Sequence, residues 1–141
     1  MACQNITVRW ATLADLDFVH QDHYIPVEVV RRKVEWQEVL VAEWNDQPVG
    51  YIRIEYLWSI VPYIALIHVL PEHRRRGVGK ALLHYLEAFL REKGRQALYS
   101  SSQVDEAEPQ AWHRHVGFEE CGILTGVNPE GVGEVFFRKR V

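Results

Sequence analysis

The residues best suited to do chemistry lie together in Arg74-Arg75-Arg76-Gly77-Val78-Gly79-Lys80. Three arginines and a lysine surround two glycines, directly after an apolar run that ends in Val69-Leu70-Pro71. An amphipathic helix is expected to begin at Val78. The first amides of a helix have no carbonyl a turn behind them, and the positive end of the macrodipole lies there. Glycines let an anion approach the backbone, and the basic side chains add charge around it. Together these features suit a diphosphate. A dinucleotide fingerprint needs a third glycine where Leu82 stands. A P-loop needs glycine at position 74 and Ser or Thr at 81, where this chain has Arg74 and Ala81. The competing bland reading is a solvated basic turn ahead of a helix.

The elements that must position this stretch follow from periodicity and punctuation. Alternating apolar residues predict strands at 5–10, 39–44 and 49–58, the last two joined by a tight turn at 45–47. Thr12 and Asp15 read as a capping box for a first helix carrying Leu13 and Leu16, and Pro26 suits the first turn of a second. Residues 63–70 are apolar on both faces apart from His68, which predicts a central buried strand. A helix over 78–93 follows, with Val78, Ala81, Leu82, Tyr85, Leu86 and Phe89 inward and Lys80, His84, Glu87 and Arg91 outward. A fifth strand at 97–101, a short helix at 109–116 and strands at 118–124 and 133–139 complete the chain. The strand–helix–strand unit of the fourth and fifth strands implies a parallel pair by right-handed crossover. The sheet is therefore mixed.

Length and composition bound the rest. With 141 residues, 48% apolar and 25% charged, one globular domain over 1–141 is expected. A formal net charge of −3 leaves no electrostatic footprint for nucleic acid or an anionic membrane. The longest apolar run, 60–70, is too short to span a bilayer. Cys3 and Cys121 are too few for a disulfide framework and are expected as small buried or half-buried hydrophobes. Residues 1–5 lack a basic start followed by an apolar stretch, so a cytoplasmic location is expected. His20 with His23, and His113 with His115, lack partners in a metal-binding pattern, and no metal is expected. Arg31-Arg32-Lys33 reads as a solvated helix face. Ser100, Ser101 and Ser102 read either as ligand-facing hydroxyls or as a polar strand end.

With these residues in view, the chain resembles the GCN5-related N-acetyltransferase superfamily. That family carries a [Gln/Arg]-x-x-Gly-x-[Gly/Ala] signature, matched by Arg74, Gly77 and Gly79, after a Val-x-Pro-Glu-x-Arg pattern matched by Val69, Pro71, Glu72 and Arg74. A C-terminal Phe-Tyr-x-x-x-Gly-Phe block corresponds to Trp112-His113-Arg114-His115-Val116-Gly117-Phe118. The resemblance implies a mixed, mostly antiparallel seven-stranded sheet with about four helices, its fourth and fifth strands parallel and splayed. It also implies acetyl-CoA as co-substrate and an amine as acceptor, with homodimers common.

Carried onto these positions, the resemblance implies that backbone groups of Val69, with His68 and Leu70 beside it, pair with the pantetheine arm. The turn from Arg74, Arg75 and Arg76 through Gly77, Val78, Gly79 and Lys80 to Ala81 would hold the pyrophosphate. The amine would attack the thioester directly. The usual tyrosine acid is His113 here, a better acid when protonated, with an ordinary pKa near 6.5. The base is open among Glu55, Tyr63 and His68, or water. The acceptor wall would include His20, Asp22, His23, Tyr24 and Glu28, which suits a small amine or amino-acid derivative, or alternatively a protein N-terminus or lysine. A CoA-binding module without turnover is the remaining alternative.

Overall fold

A computed structural model describes residues 5–141 of the protein; Cys3 lies outside the described residues. The chain forms two compact units. The first holds residues up to Ile54 together with Leu66–Leu86, and the second holds Glu55–Ala65 and Glu87–Val141. Seven strands, β1 (Ile6–Trp10), β2 (Val39–Trp44), β3 (Gln47–Leu57), β4 (Val61–Val69), β5 (Ala97–Gln103), β6 (Glu119–Leu124) and β7 (Glu134–Arg140), run in the order β1-β2-β3-β4-β5-β7-β6. The helices are α1 (Leu16–Val19), α2 (Val27–Glu35), α3 (Val78–Glu92) and α4 (Ala107–His115). The sheet is mostly antiparallel, and β4 and β5 form the parallel pair, Tyr63 opposite Tyr99. The element order and fold class match expectation.

In the first unit the two faces of β2 and β3 go to different helices. Val39, Val41 and Tyr51 pack with Ala11, Val19, Val30 and Val34 of the α1–α2 side. Leu40, Ala42 and Ile52 alternate to the other face, where Val78, Leu82, Leu83 and Leu86 of α3 are also buried. Each fully buried aliphatic contributes roughly 1.5–3 kcal/mol. Asn45 and Asp46, at φ 51° and 66°, close the β2–β3 hairpin; both tolerate that left-handed geometry. Asp15 closes the first turn by accepting from the Thr12 N–H at 2.8 Å.

In the second unit α4 accompanies a buried face formed by Leu98, Ser100 and Ser102 of β5 and by Val135 and Phe137 of β7. The alternate residues Tyr99, Ser101, Glu134 and Phe136 are only half-buried, and every residue of β6 is exposed.

Three expectations are corrected here. β4 is not buried throughout: Pro62 and Ile64 are buried, Ala65 is exposed and the others are half-buried. An apolar run reports what a strand could bury, not how far its faces are covered. The inward stripe of α3 is turned toward Leu83 and Leu90, so Tyr85 is 38% exposed while Glu87 is 7% exposed and pairs with Lys139 Nζ at 2.6 Å. Cys121, expected at least half-buried, is exposed because it sits on the open edge strand β6.

Candidate active site

The basic turn is built by the first unit alone. Pro71 ends β4, and a single 3-10 turn, Pro71–His73, leads into Arg74 in extended conformation. Arg75 and Gly77 then take left-handed conformations, φ 64° and 87°. The first helical bond of α3 runs from the Ala81 N–H to the Gly77 carbonyl at 2.9 Å. The amides of Val78, Gly79 and Lys80 therefore have no carbonyl a turn behind them. Arg74, Arg75, Arg76 and Lys80 are exposed around this opening, and Val78 is buried beneath it. A cradle of this kind, at the start of a 15-residue helix, has the donors and the charge that an anion needs.

Two contacts hold the cradle in place. The Arg76 guanidinium lies 5.6 Å from the centre of the Trp44 ring, and the His73 ring lies 5.6 Å from it. Gly50 on β3 lies under the start of the helix: a Cβ there would fall 3.0 Å from the His68 carbonyl oxygen and 3.1 Å from Val78 Cγ1. Glycine at 50 thus lets α3 start close against β3 and β4. An isolated glycine inside a strand is the sequence signal for such an approach. Arg74 Nε donates to the Val69 carbonyl at 2.9 Å, and the Leu70 N–H donates to Val49 at 2.9 Å. Among the Val69 and Leu70 backbone groups expected to face a ligand, the Val69 carbonyl and the Leu70 amide thus have partners within the chain.

His68 also belongs to the first unit. Its ring lies 5.3 Å from that of Tyr51. Burial, then the Arg74 charge, push its pKa down, against an opposing pull from Asp22. Tyr51 and Arg53 converge on Asp22. The Tyr51 hydroxyl donates to Oδ1 at 2.6 Å, and the Arg53 fork reaches Oδ1 and Oδ2 at 2.8 and 2.7 Å. Arg53 also donates to the Val19 carbonyl at 3.2 Å. Burial raises the Asp22 pKa, but these bonds overcome it and hold the carboxyl well below the usual range. Burial and the Asp22 bond push the Tyr51 hydroxyl far up. Asp22 was expected on the acceptor wall. Its carboxylate is only 4% exposed and serves instead to anchor the 20–26 loop. His20 donates through Nε2 to Ile25 at 2.9 Å in the same loop, while Tyr24 is 76% exposed.

The remaining candidates lie in the second unit, and β5 separates two of them. His113 is 4% exposed, stacked on Phe137 at 4.6 Å. Its Nδ1 meets the Pro109 carbonyl at 2.7 Å, which only an N–H can satisfy. Its Nε2 lies 2.7 Å from Ser100 Oγ. Burial lowers the His113 pKa, against an opposing pull from the Pro109 bond; in the neutral ring Nδ1 donates and Nε2 accepts the Ser100 hydroxyl. Both nitrogens are committed, an arrangement that fits packing better than the acid role expected from the sequence.

Tyr63 lies on the other face of β5. Its hydroxyl is 2.6 Å from Ser101 Oγ, and Ser101 donates to Glu134 Oε2 at 2.6 Å. Asn128 Nδ2 reaches Glu134 Oε1 at 2.8 Å and the Val132 carbonyl at 3.1 Å. Burial raises the Tyr63 pKa; Ser101 opposes this, and the charges of Glu134 and Glu55 reinforce it. Glu55 is exposed at the end of β3. Sequence reading singled out Tyr63 and Glu55 but not Glu134 or Asn128, which carry no motif. Among the described residues no group of three His, Cys, Asp or Glu could hold a metal, and no helix is long and apolar enough to cross a membrane.

The chain is 42% identical over 62 residues to an aminoglycoside N(6')-acetyltransferase type 1 of Stenotrophomonas maltophilia, covering 44% of this chain and 40% of that protein. The chain spans well under two thirds of the first curated relatives it matches, 28% to 41% of their lengths. Among solved structures, the ribosomal-protein-alanine N-acetyltransferase of Brucella melitensis superposes with a TM-score of 0.82 at 25% identity, covering 96% of this chain and 99% of that one. The Salmonella typhimurium protein yncA, solved with its cofactor acetyl-CoA, shares the fold with a TM-score of 0.81 at 18% identity, covering 97% of this chain and 94% of that one. The model of the acetyltransferase (GNAT) family matches residues 7–118, from β1 through the basic turn to the end of the α4 block, and the chain belongs to that family.

Proposed function

We propose that this protein transfers an acetyl group from acetyl-CoA to a primary amine by direct attack of the amine on the thioester. The observation that carries the reading is the opened first turn of α3. Its amides lack carbonyl partners a turn behind, Arg75 and Gly77 take left-handed conformations, and basic side chains stand around it. In this reading the amides from Arg75 to Lys80 hold the pyrophosphate, with Arg74, Arg75, Arg76 and Lys80 adding charge. Family membership and an acetyl-CoA-bound neighbour of the same fold support this choice of anion.

The chemistry needs the amine to lose a proton and the thiolate to leave. A thiol ionises with an ordinary pKa near 8.5, so the thiolate leaves without a strong acid beside it. His113, with both nitrogens in internal bonds, is not required for that step. We favour a small amine or an amino-acid derivative as acceptor. Named relatives act on aminoglycosides and on a ribosomal-protein alanine, and the group common to both is a primary amine.

Two measurements test the reading. Calorimetry with CoA is expected to show stoichiometric uptake. Thiol release from acetyl-CoA is then followed with aminoglycosides, amino-acid amides and alanine-starting peptides. No uptake of CoA overturns the proposal; uptake with no turnover on any amine leaves a binding module instead.

A further inference from the structure

The sheet of the second unit has one covered face and one open face. Both helical segments of that unit lie on the covered side: His113 of α4 meets Ser100, and Glu87 of α3 meets Lys139. By the alternation of each strand, the open face carries Tyr99 and Ser101 of β5 and Glu134, Phe136, Arg138 and Arg140 of β7. An apolar groove of about 590 Å³ opens on it, with Leu57, Val61, Tyr99 and Phe136 among its walls. Of the ten large hydrophobic residues exposed among the described residues, six belong to this unit: Trp58, Ile60, Val104, Ile123, Leu124 and Val127. Trp58, Ile123 and Leu124 line the groove itself, and Trp58 is 84% exposed. Single exposed apolar residues need no account, but apolar residues gathered around a groove mark an interaction surface.

The two ends of this face carry opposite charge. Gln103 at the end of β5 lies opposite Glu134 at the start of β7, and Asp105, Glu106 and Glu130 are exposed in the turns beyond them. At the other end, where β5 begins and β7 finishes, stand Arg95, Arg138 and Arg140. They outnumber Glu119, which lies opposite Arg138 in the β6–β7 register. Arg138 Nε donates to the Tyr99 hydroxyl at 3.2 Å, and Arg95 Nη1 donates to the Ile60 carbonyl at 2.8 Å. Both cations are thereby held at the rim of the apolar area.

We propose that this face is the contact between two copies of the chain, packed sheet on sheet about a two-fold axis that crosses the strands, with the acidic end of each copy over the basic end of the other. A two-fold contact must be complementary to itself. An axis along the strands sets acid on acid. An axis across them at Phe136 sets Glu134 of one copy over Arg138 of the other, because each lies two residues from Phe136 on β7. β5 then lies over β5, which brings Asp105 and Glu106 toward Arg95, and every pairing occurs twice. Packed sheets stand about 10 Å apart, so apolar side chains meet in the middle and the charges stay at the rim. The competing arrangement is edge pairing through β6. There the bulge between Glu120 and Gly122 and the adjacent acids Glu119 and Glu120 blunt the edge.

Sedimentation velocity over a range of concentrations is expected to show a species of twice the 16.5 kDa chain mass, weakened by salt. Leu124→Glu puts a charge in the groove at an exposed position and is expected to give a folded monomer. Two charge variants test the orientation. Arg138→Glu with Arg140→Glu makes both ends acidic, and Asp105→Lys with Glu106→Lys and Glu130→Lys makes both ends basic. Each alone is expected to dimerise at least about tenfold more weakly than the unaltered chain. Mixed in equal amounts, they are expected to form a heterodimer, because every pairing is then of opposite sign. An unaltered chain that stays monomeric overturns the proposal; if that monomer takes up anilinonaphthalene sulfonate in the groove, the face is a small-ligand site instead. A dimer that survives Leu124→Glu, or two folded charge variants that fail to pair when mixed, also overturns it.

Discussion

Ser100 and Ser101 are consecutive on β5 and therefore point to opposite faces, so one takes the ring of His113 and the other the hydroxyl of Tyr63. That one-residue alternation sorts the candidates of the second unit into two kinds. On the covered face, His113 is walled in by Phe118 and Phe137, and both of its nitrogens are bonded. On the half-buried face, Tyr63 keeps acceptor capacity and a route to a carboxylate. A group whose protons and lone pairs are all spent inside the fold, as those of His113 are, has none to exchange.

The first consequence concerns His113→Phe. The substitution keeps ring stacking on Phe137 but leaves the Ser100 hydroxyl and the Pro109 carbonyl without their partner. An orphaned buried polar group costs about 1–3 kcal/mol. Stability by urea denaturation is expected to fall by that order, while turnover per folded molecule stays within a few-fold. A loss of a hundredfold in kcat at unchanged stability would return His113 to the mechanism.

The same residue shapes the pH dependence of stability. Burial lowers the folded-state pKa of His113 below its ordinary 6.5. As pH falls below that value the unfolded chain takes up a proton that the folded chain resists, so stability drops. The pKa of His68 is shifted in the same direction, burial being the leading cause, and adds to the effect. Denaturation midpoints are expected to decline from pH 7 toward pH 5, less steeply in His113→Phe. An unchanged slope in that variant would remove His113 as the source.

Asp22→Asn tests the anchor of the 20–26 loop. Arg53 and Asp22 form a forked pair whose side chains are 3% and 4% exposed. Removing the anion leaves a buried guanidinium uncompensated, at about 3–5 kcal/mol. The sign with pH follows from the depressed Asp22 pKa. Its stabilisation is present above the unfolded value of 3.8 and is lost as pH falls through and below it toward the folded value. Denaturation at pH 7 is expected to show the full deficit, and the gap to the unaltered protein is expected to narrow in acid. An Asp22→Asn protein as stable as the original at pH 7 would mean that the pair contributes nothing.

Much of this architecture was legible in the residues, and the exceptions have identifiable causes. The basic turn was readable because its glycines, arginines and helix start are consecutive, and local chemistry alone dictates its shape. The β2–β3 hairpin was readable because Asn45-Asp46 suits its turn. The place of Glu134 was not, since Ser101, which donates to it, is 33 residues earlier in the chain and only strand order brings the two together. The place of Glu87 also escaped. A single acid on a helix looks solvated until Lys139, on β7 and 52 residues later by sequence, reaches it. Periodicity finds a helix face to within about one residue, and one residue is enough to exchange Tyr85 for Leu83.

Gly77→Ala separates backbone conformation from space at the cradle. A Cβ at 77 would approach nothing nearer than Ile6 Cδ1 at 4.0 Å, so crowding is not the obstacle. The obstacle is φ 87°, which an L-residue adopts at a cost of roughly 1–2 kcal/mol. If the turn relaxes to avoid that cost, its amides rotate away from the anion. CoA affinity is expected to fall by about tenfold, equivalent to about 1.4 kcal/mol, with the melting temperature nearly unchanged. Affinity equal to that of the original would show that the cradle does not hold the ligand through this turn.

Gly50→Ala reaches the same cradle from below, with the opposite cause. Here φ is ordinary and space is the obstacle, because the added methyl meets the His68 carbonyl at 3.0 Å and Val78 Cγ1 at 3.1 Å. The carbonyl belongs to β4 and cannot yield as a flexible side chain would. The start of α3 must therefore lift, taking the amides of Val78 and Gly79 with it. Overpacking of this kind costs about 1–3 kcal/mol. Both stability and CoA affinity are expected to fall together in Gly50→Ala, whereas Gly77→Ala lowers affinity with little change in stability. Val78→Ala combined with Gly50→Ala removes one of the two close contacts and is expected to recover part of the lost CoA affinity. If the double variant binds no better than Gly50→Ala alone, pressure of residue 50 on Val78 is not what sets the height of the helix.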